Sequence, residues 1–315
     1  MKKIAFHSNQ LCLRGTEVAL FDYAKYNEDI LGNKSVIFSN PNANLDALPK
    51  FKKRFEVQLM DWWSYERYLL DNNFDYLYII KGGNNDGYCL PKTSIPTIIH
   101  AVFRHNEPHG YKYMYVSDWL ARDQGYDPAE YSLPHICEPL PQPTETLRPQ
   151  LGIKNTDIVF GYYGGSTEFN IQSTKEAIIS AISLRNDIKF TFMNIDKFVD
   201  HPQVIFLPGT YDLQEKSNFV HTCDAMIHAR SGGETFGLAV AEFALANKPI
   251  VTYELSGERN HIEVLGDTGI YYKGKKDLLD IFLNFSKYRK DIDYAEPYQQ
   301  FNPEAIMNKF NKLLK

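Results

Sequence analysis

The chain has 315 residues, more than one hydrophobic core usually spans, so two domains are expected. Its 43% hydrophobic and 23% charged content is that of an ordinary globular protein, and a formal net charge of −5 argues against a general nucleic-acid surface or strong attraction to anionic lipid. Four widely spaced cysteines (Cys12, Cys89, Cys137 and Cys223) form no CxxC, so neither a zinc cluster nor a disulfide scaffold is indicated, and a reducing compartment is expected.

In chain order, KKIAFHS reads as a first buried strand ending in a loop. NQLCLRGTE follows, then a helix through Val18, Leu20, Phe21, Tyr23 and Ala24, with Gly32 as its C-terminal cap. KSVIFSN is the next strand, which completes one βαβ unit. FEVQLM reads as a strand, WWSYERYLLDNN as a helix, and DYLYIIKGG, TIIHAVF and YKYMYVS as strands. A proline-rich stretch with Pro134, Pro139, Pro141, Pro143 and Pro149 then interrupts the pattern, as a linker would. The rhythm restarts at DIVFGYYGG, a strand running into a glycine pair. TKEAIISAISLR is a helix, IKFTFMN and VIFLPG are strands, LQEKSNFVHTC is a helix and AMIHAR a short strand. A helix through LAVAEFALAN, the strands PIVTYE and GIYYKG, the helix KKDLLDIFLNFSKYRK and a terminal amphipathic helix complete the chain. This gives an N-terminal α/β domain over residues 1–140, a linker at 141–150, a C-terminal α/β domain over 151–298, and a last helical segment at 299–315.

No segment approaches the ~20 apolar residues of a membrane-spanning helix. The opening apolar run is too short for a signal peptide, so a cytoplasmic protein is expected. The 21 tyrosines and 20 phenylalanines are expected mainly in the cores, with stacking on a sugar or base as the alternative.

The stretch HARSGGETFGLAVAEFALANKP, residues 228–249, carries the chemistry. Ligands of open parallel sheets sit outside the carboxyl ends of the strands. The loop after AMIHAR therefore lies at such a mouth. Its glycines let backbone approach a ligand, and a helix starting near Phe236 or Gly237 aims unpaired N–H groups there, which suits phosphate. Glu234 stands in the loop, and Glu242 lies about two helical turns further on. A carboxylate accepts two hydrogen bonds at once, which suits paired sugar hydroxyls.

These residues resemble the E-x7-E region of retaining GT-B glycosyltransferases of the GT4 type, the "group 1" transferases. The family pattern runs approximately E-G-F-G-L-x-x-x-E-A-x-A-x-G-x-P-V, and this chain has E-T-F-G-L-A-V-A-E-F-A-L-A-N-K-P-I. The resemblance implies a GT-B fold, two Rossmann-like domains facing each other across a cleft, with the last helix packing back on the first. It implies that Glu234 contacts donor-sugar hydroxyls and that Glu242 binds the ribose. The backbone at Phe236, Gly237 and Leu238 would face the sugar and diphosphate. FHSNQLCLRGTE resembles the family's N-terminal glycine-containing loop, which places Arg14 and Gly15 at the donor phosphates. TIIHAVFRH resembles the strand that ends in a histidine near the sugar, with His100 as the match. YVSDWLA, PHICEPLP and LSGERNHIEVLGDTGIYY resemble further family segments, so the likeness covers nearly the whole chain.

The chain departs from the family after the first strand of the second half. There the family places an Arg and a Lys, and this chain has Gly165 and Asn170. Charge-assisted contacts are the strong ones, so other groups must neutralise the diphosphate. Arg230 and Arg14 are the candidate cations, and the backbone at Gly164 and Gly165 is a candidate amide cradle. No metal is expected. Asn84, Asn85 and Asp86 read as a turn, and Pro108 breaks any helix that would pair His105 with His109. The expected reaction transfers a hexose from a UDP- or GDP-sugar to a hydroxyl of a glycan, protein or small molecule, with no cofactor. A dehydrogenase is disfavoured because GxGxxG is missing after the first strand. The alternative is a non-catalytic binding or scaffold module of the same fold.

Overall fold

The structure, a computed structural model, describes residues 1–315 except Lys92. Contacts divide it into two compact units, one of Met1–Ile136 with Phe301–Lys315 and one of Cys137–Gln300.

The first unit holds six parallel strands: β1 (Lys3–His7), β2 (Lys34–Ser39), β3 (Glu56–Leu59), β4 (Tyr76–Lys81), β5 (Thr97–Ala101) and β6 (Lys112–Tyr115). Their order is β3-β2-β1-β4-β5-β6, and every pairing is parallel. A parallel sheet covered on both faces needs strands that are apolar throughout. Tyr76–Lys81 and Thr97–Ala101 are accordingly buried along their whole length. The helix Gly15–Asp29 follows β1, and past its end Gly32 takes the left-handed conformation (φ 65°) that stops it. The terminal helix Pro303–Leu313 belongs to this unit. Its Phe310 is fully buried and meets Phe6, Tyr23 and Tyr78, with ring centroids 6.3, 5.5 and 5.7 Å apart.

The second unit repeats the plan with β7 (Ile158–Tyr163), β8 (Ile188–Met193), β9 (Val204–Leu207), β10 (Ala225–His228), β11 (Gly233–Glu234), β12 (Ile250–Tyr253), β13 (Glu258–Arg259) and β14 (Ile270–Tyr272). The main sheet has the order β14-β12-β10-β7-β8-β9, and β11 pairs with β13 in a two-residue ladder. In both units the strand order turns back beside the first strand, between β1 and β4 and between β7 and β10. Such switch points open a crevice at the carboxyl ends of the strands. The aromatic content is largely core material, as in the cluster of Phe160, Phe190, Phe282 and Phe285.

Three local expectations are corrected. Residues 141–150 are knit to the helix Leu213–Thr222 rather than standing apart as a linker. Ser217 donates to the Pro141 carbonyl (2.5 Å), the Leu147 N–H donates to Thr222 Oγ1 (2.7 Å), and Arg148 reaches Asp224 (2.8 Å). The predicted helix over WWSYERYLLDNN starts as a 3₁₀ turn, Trp62–Ser64, before the α-helix Tyr65–Asp71. KKDLLDIFLNFSKYRK breaks at Asn284 into Lys275–Leu283 and Phe285–Tyr288.

Burial carries a pH consequence. The imidazoles of His7 and His100 are pulled down to about 4 and about 3 by desolvation, and burial also lowers His135 and His261. In the unfolded chain these groups take up protons near 6.5. Between that value and the folded values the unfolded state binds more protons, so stability rises with pH. It is complete above 6.5 and falls as acid is added, by up to about 1.4 kcal/mol per pH unit for each histidine. A lower urea midpoint at pH 5 than at pH 7 is expected, and equal midpoints would contradict it.

Candidate active site

The quoted stretch lies at the switch point of the second unit. His228 ends β10, Ala229 to Gly232 turn out of the sheet, and β11 carries Glu234 back. The turn depends on Gly233, which has φ 80°. A Cβ there would stand 1.9 Å from the Glu258 carbonyl oxygen, so close pairing of β11 with β13 requires glycine. Gly237 then takes φ 95° as N-cap of the helix Leu238–Leu245. The first turn of that helix has N–H groups without intrahelical acceptors. Phe236 is buried, and its carbonyl accepts from Asn260 Nδ2 at 2.9 Å.

Glu234 is the centre of a polar cluster. Its side chain is 18% exposed, open enough to touch a ligand. Oε1 accepts from His228 Nε2 at 3.1 Å, and Oε2 accepts from Arg230 Nη1 at 3.0 Å. Arg230 Nε donates to Glu168 Oε2 at 2.5 Å. Burial works to raise the Glu234 carboxyl, but the His228 hydrogen bond and the Arg230 charge outweigh it and hold it below its ordinary range. Arg230 is held more firmly protonated despite its burial, by Glu234 and Glu168. Arg230, the candidate phosphate cation, is thus already shared by two carboxylates.

Glu242 lies on the helix Leu238–Leu245, with a side chain only 11% exposed. Lys216 of the helix Leu213–Thr222 donates to both of its oxygens, at 3.0 and 3.2 Å. Glu242, expected at the ribose, is thus engaged in a nearly enclosed ion pair with Lys216. Asn170, at the family's lysine position, accepts the Ser231 N–H through Oδ1 (2.8 Å) and so fastens the β10–β11 turn. Gly164 and Gly165 follow β7. A Cβ at Gly164 would meet Tyr162 Oη at 2.8 Å, and one at Gly165 would meet Glu168 Cγ at 2.9 Å. Leu238 opens the helix and is half-buried.

The first-unit candidates divide. Arg14 and Gly15 are exposed at the start of the helix Gly15–Asp29. His100 is fully buried in the core of β5. Its Nδ1 pairs with Tyr78 Oη at 2.5 Å, and the rings of Tyr23 and His135 lie 5.5 and 5.4 Å away. A side chain with no exposed surface does not reach a sugar, so His100 is a core residue here rather than a catalytic one.

Sequence reasoning missed Lys216, Glu168, His228, Thr252 and His261. His228 had a legible signal, because it is the last strand residue before the glycine loop. The others meet the motif only through the fold. Among the described residues, no group of three or more His, Cys, Asp or Glu side chains is placed to hold a metal ion, and no helix is long and apolar enough to cross a membrane.

With two six-stranded parallel units of this order, the fold is GT-B. No protein-family model and no curated protein matches the chain. Solved structures do. Anabaena HepE, solved with UDP-glucose, aligns over 100% of this chain and 99% of its own with a TM-score of 0.73 at 15% identity. Sucrose-phosphate synthase from Thermosynechococcus elongatus aligns over 99% and 98%, with a TM-score of 0.68 at 12% identity. A glycosyltransferase from Rickettsia africae aligns over 99% and 96%, with a TM-score of 0.68 at 14% identity.

Proposed function

We propose that the chain is a retaining glycosyltransferase of the GT4 type. It moves a hexose from a UDP- or GDP-sugar to a hydroxyl of a glycan, protein or small molecule, in the cytoplasm, without a metal or other cofactor. One observation carries this reading. Glu234 is an ionised, partly exposed carboxylate at the β7/β10 switch point, placed between a glycine turn and a helix N-terminus. The likeness to HepE, solved with UDP-glucose, supports the choice of ligand class.

In this reading the helix N-terminus at Gly237 and Leu238 and the amides near Gly164 and Gly165 face the diphosphate. Glu234 accepts from the hexose hydroxyls and lies near the reacting carbon, where positive charge develops as the bond to the diphosphate breaks. Arg230 orients Glu234 and stands as a cation beside the leaving group. Glu242 takes the ribose hydroxyls by sharing its oxygens with Lys216.

A second reading is binding without turnover. The cluster of Glu168, Arg230 and Glu234 sets two carboxylates against one guanidinium. Gly165 and Asn170 add no charge where the family has two cations. A diphosphate arriving there meets less positive charge than its own negative charge calls for.

Incubation of the protein with UDP-glucose and GDP-mannose in EDTA, followed by proton NMR, separates the two. The proposal expects release of the nucleoside diphosphate and a sugar product of unchanged anomeric configuration. Binding with no release favours the second reading, and an inverted product contradicts retention.

A further inference from the structure

Behind Glu234 runs a line of buried polar side chains that the proposed reaction does not use directly. His228 Nδ1 lies 2.9 Å from Thr252 Oγ1, and His261 Nε2 lies 3.1 Å from the same oxygen. His228, Thr252 and His261 are each fully buried. The fold brings them together from three elements. His228 and Thr252 face each other in the β10–β12 register, and His261 projects from the helix Asn260–Leu265 with its ring centroid 4.7 Å from that of His228. Gly237 completes the enclosure, since a Cβ there would lie 3.2 Å from Glu234 Cβ and 3.5 Å from His261 Cβ.

The protons in this line can be placed by elimination. An ionised carboxylate only accepts, so His228 must carry its proton on Nε2 to bond Glu234. A neutral imidazole then offers Nδ1 as an acceptor, and the Thr252 hydroxyl donates to it. With its one proton committed, Thr252 Oγ1 accepts from the N–H at His261 Nε2. His261 Nδ1 is left as a bare nitrogen, and it has no hydrogen-bond partner. The alternatives are worse. A proton on His228 Nδ1 alone would set a lone pair against the Glu234 lone pairs across 3.1 Å. Protons on both His228 nitrogens would turn Thr252 toward His261, leaving an N–H at His261 Nδ1 buried with nothing to accept it. Orphaned buried N–H groups are rarer and costlier than unfilled acceptors.

We infer that Thr252 and His261 are positioning residues for Glu234: the chain His261 Nε2–H, Thr252 O–H, His228 Nε2–H runs in one direction and ends on the carboxylate, locking it in place as an oriented anion. The inference rests on the reading of Glu234 as the sugar-contacting group. The chain starts at His261 Nδ1, which has no hydrogen-bond partner among the protein groups. Arg230 reinforces the lock from the other oxygen of Glu234, with Glu168 behind it. Tyr162 of β7 faces the His228 ring at 5.9 Å, and Tyr272 of β14 donates to the His228 carbonyl at 3.1 Å. Burial first, then the neighbouring His228 ring and the Arg259 and Arg230 charges, hold the His261 imidazole below its ordinary range.

The test is nitrogen-15 NMR of the histidine rings in the ligand-free protein. It does not depend on turnover. Both His228 and His261 are expected as neutral rings carrying the proton on Nε2, with His228 Nδ1 showing the shift of a hydrogen-bonded acceptor and His261 Nδ1 that of a bare one. In Thr252→Val the two Nδ1 shifts should converge, and Thr252→Ser should restore the wild-type separation. Turnover in Thr252→Val should drop about tenfold, by loss of one hydrogen bond's worth of ordering, with little change in donor KM. A proton on Nδ1 of either ring, two N–H groups on His228 at neutral pH, or a valine variant with the wild-type spectrum would overturn the inference. The expected spectra in a protein that turns over no nucleotide sugar would uphold the proton chain and defeat the transferase reading alone.

Discussion

Glu234→Gln is expected to lower nucleotide-sugar turnover by about 10²–10³-fold, the loss typical when one charge-stabilising group is removed from a developing ion. The substitution preserves shape but not function. A carboxylate accepts from both His228 and Arg230, whereas an amide has one oxygen and must turn its NH₂ toward one of those two donors. Donor KM should change far less than kcat, because the lost interaction strengthens as the sugar becomes cationic. The pH profile gives a second check. The carboxyl is held below the ordinary glutamate value of 4.5, so activity and the Glu234 contribution to stability are present above that value and are lost only as pH falls through the lower folded value. Wild-type turnover should therefore persist at pH 5. A glutamine variant with more than a tenth of wild-type kcat would remove Glu234 from the catalytic role.

Lys216→Met is expected to give the largest loss of stability. Both partners of the pair are nearly enclosed, with side-chain exposures of 10% and 11%. Removing the ammonium leaves the Glu242 carboxylate in a dry setting without its cation, which costs about 3–5 kcal/mol. Replacing both partners with apolar groups of similar volume avoids that penalty, so Lys216→Met with Glu242→Leu should recover most of the loss. Chemical denaturation of the two single variants and the double variant measures this. If the double variant is as unstable as the sum of the singles, the two side chains do not act as a pair. Binding separates the roles further, since the double variant should fold and yet bind a nucleoside diphosphate more weakly than wild type.

The architecture was legible because an all-parallel sheet imposes a strong pattern. Buried strands such as Tyr76–Lys81 are apolar runs, and helices such as Gly15–Asp29 between β1 and β2 carry the contrasting amphipathic pattern. The loop at Glu234 was legible for the same reason, since Gly233 and Gly237 are held by φ values of 80° and 95°. The partners of the two glutamates were not legible. Lys216 reads as an ordinary polar residue on an amphipathic helix, and no periodicity states that a carboxylate 26 residues later will meet it. Thr252 and His261 join His228 only through the β10–β12 register. His100 misled for the opposite reason. A histidine at a strand end looks like a ligand-facing group, but Tyr78 on the neighbouring strand satisfies it inside the core. The two-residue ladder of β11 and β13 is too short to show any period.

The most direct test is calorimetric titration of UDP, and separately of GDP, into the protein in the presence of EDTA. The account predicts saturable one-to-one binding of one of the two, competed by its own sugar conjugate and weakened in the Lys216→Met, Glu242→Leu double variant. No binding of either nucleotide up to millimolar concentration would contradict a nucleotide-sugar site at Glu234.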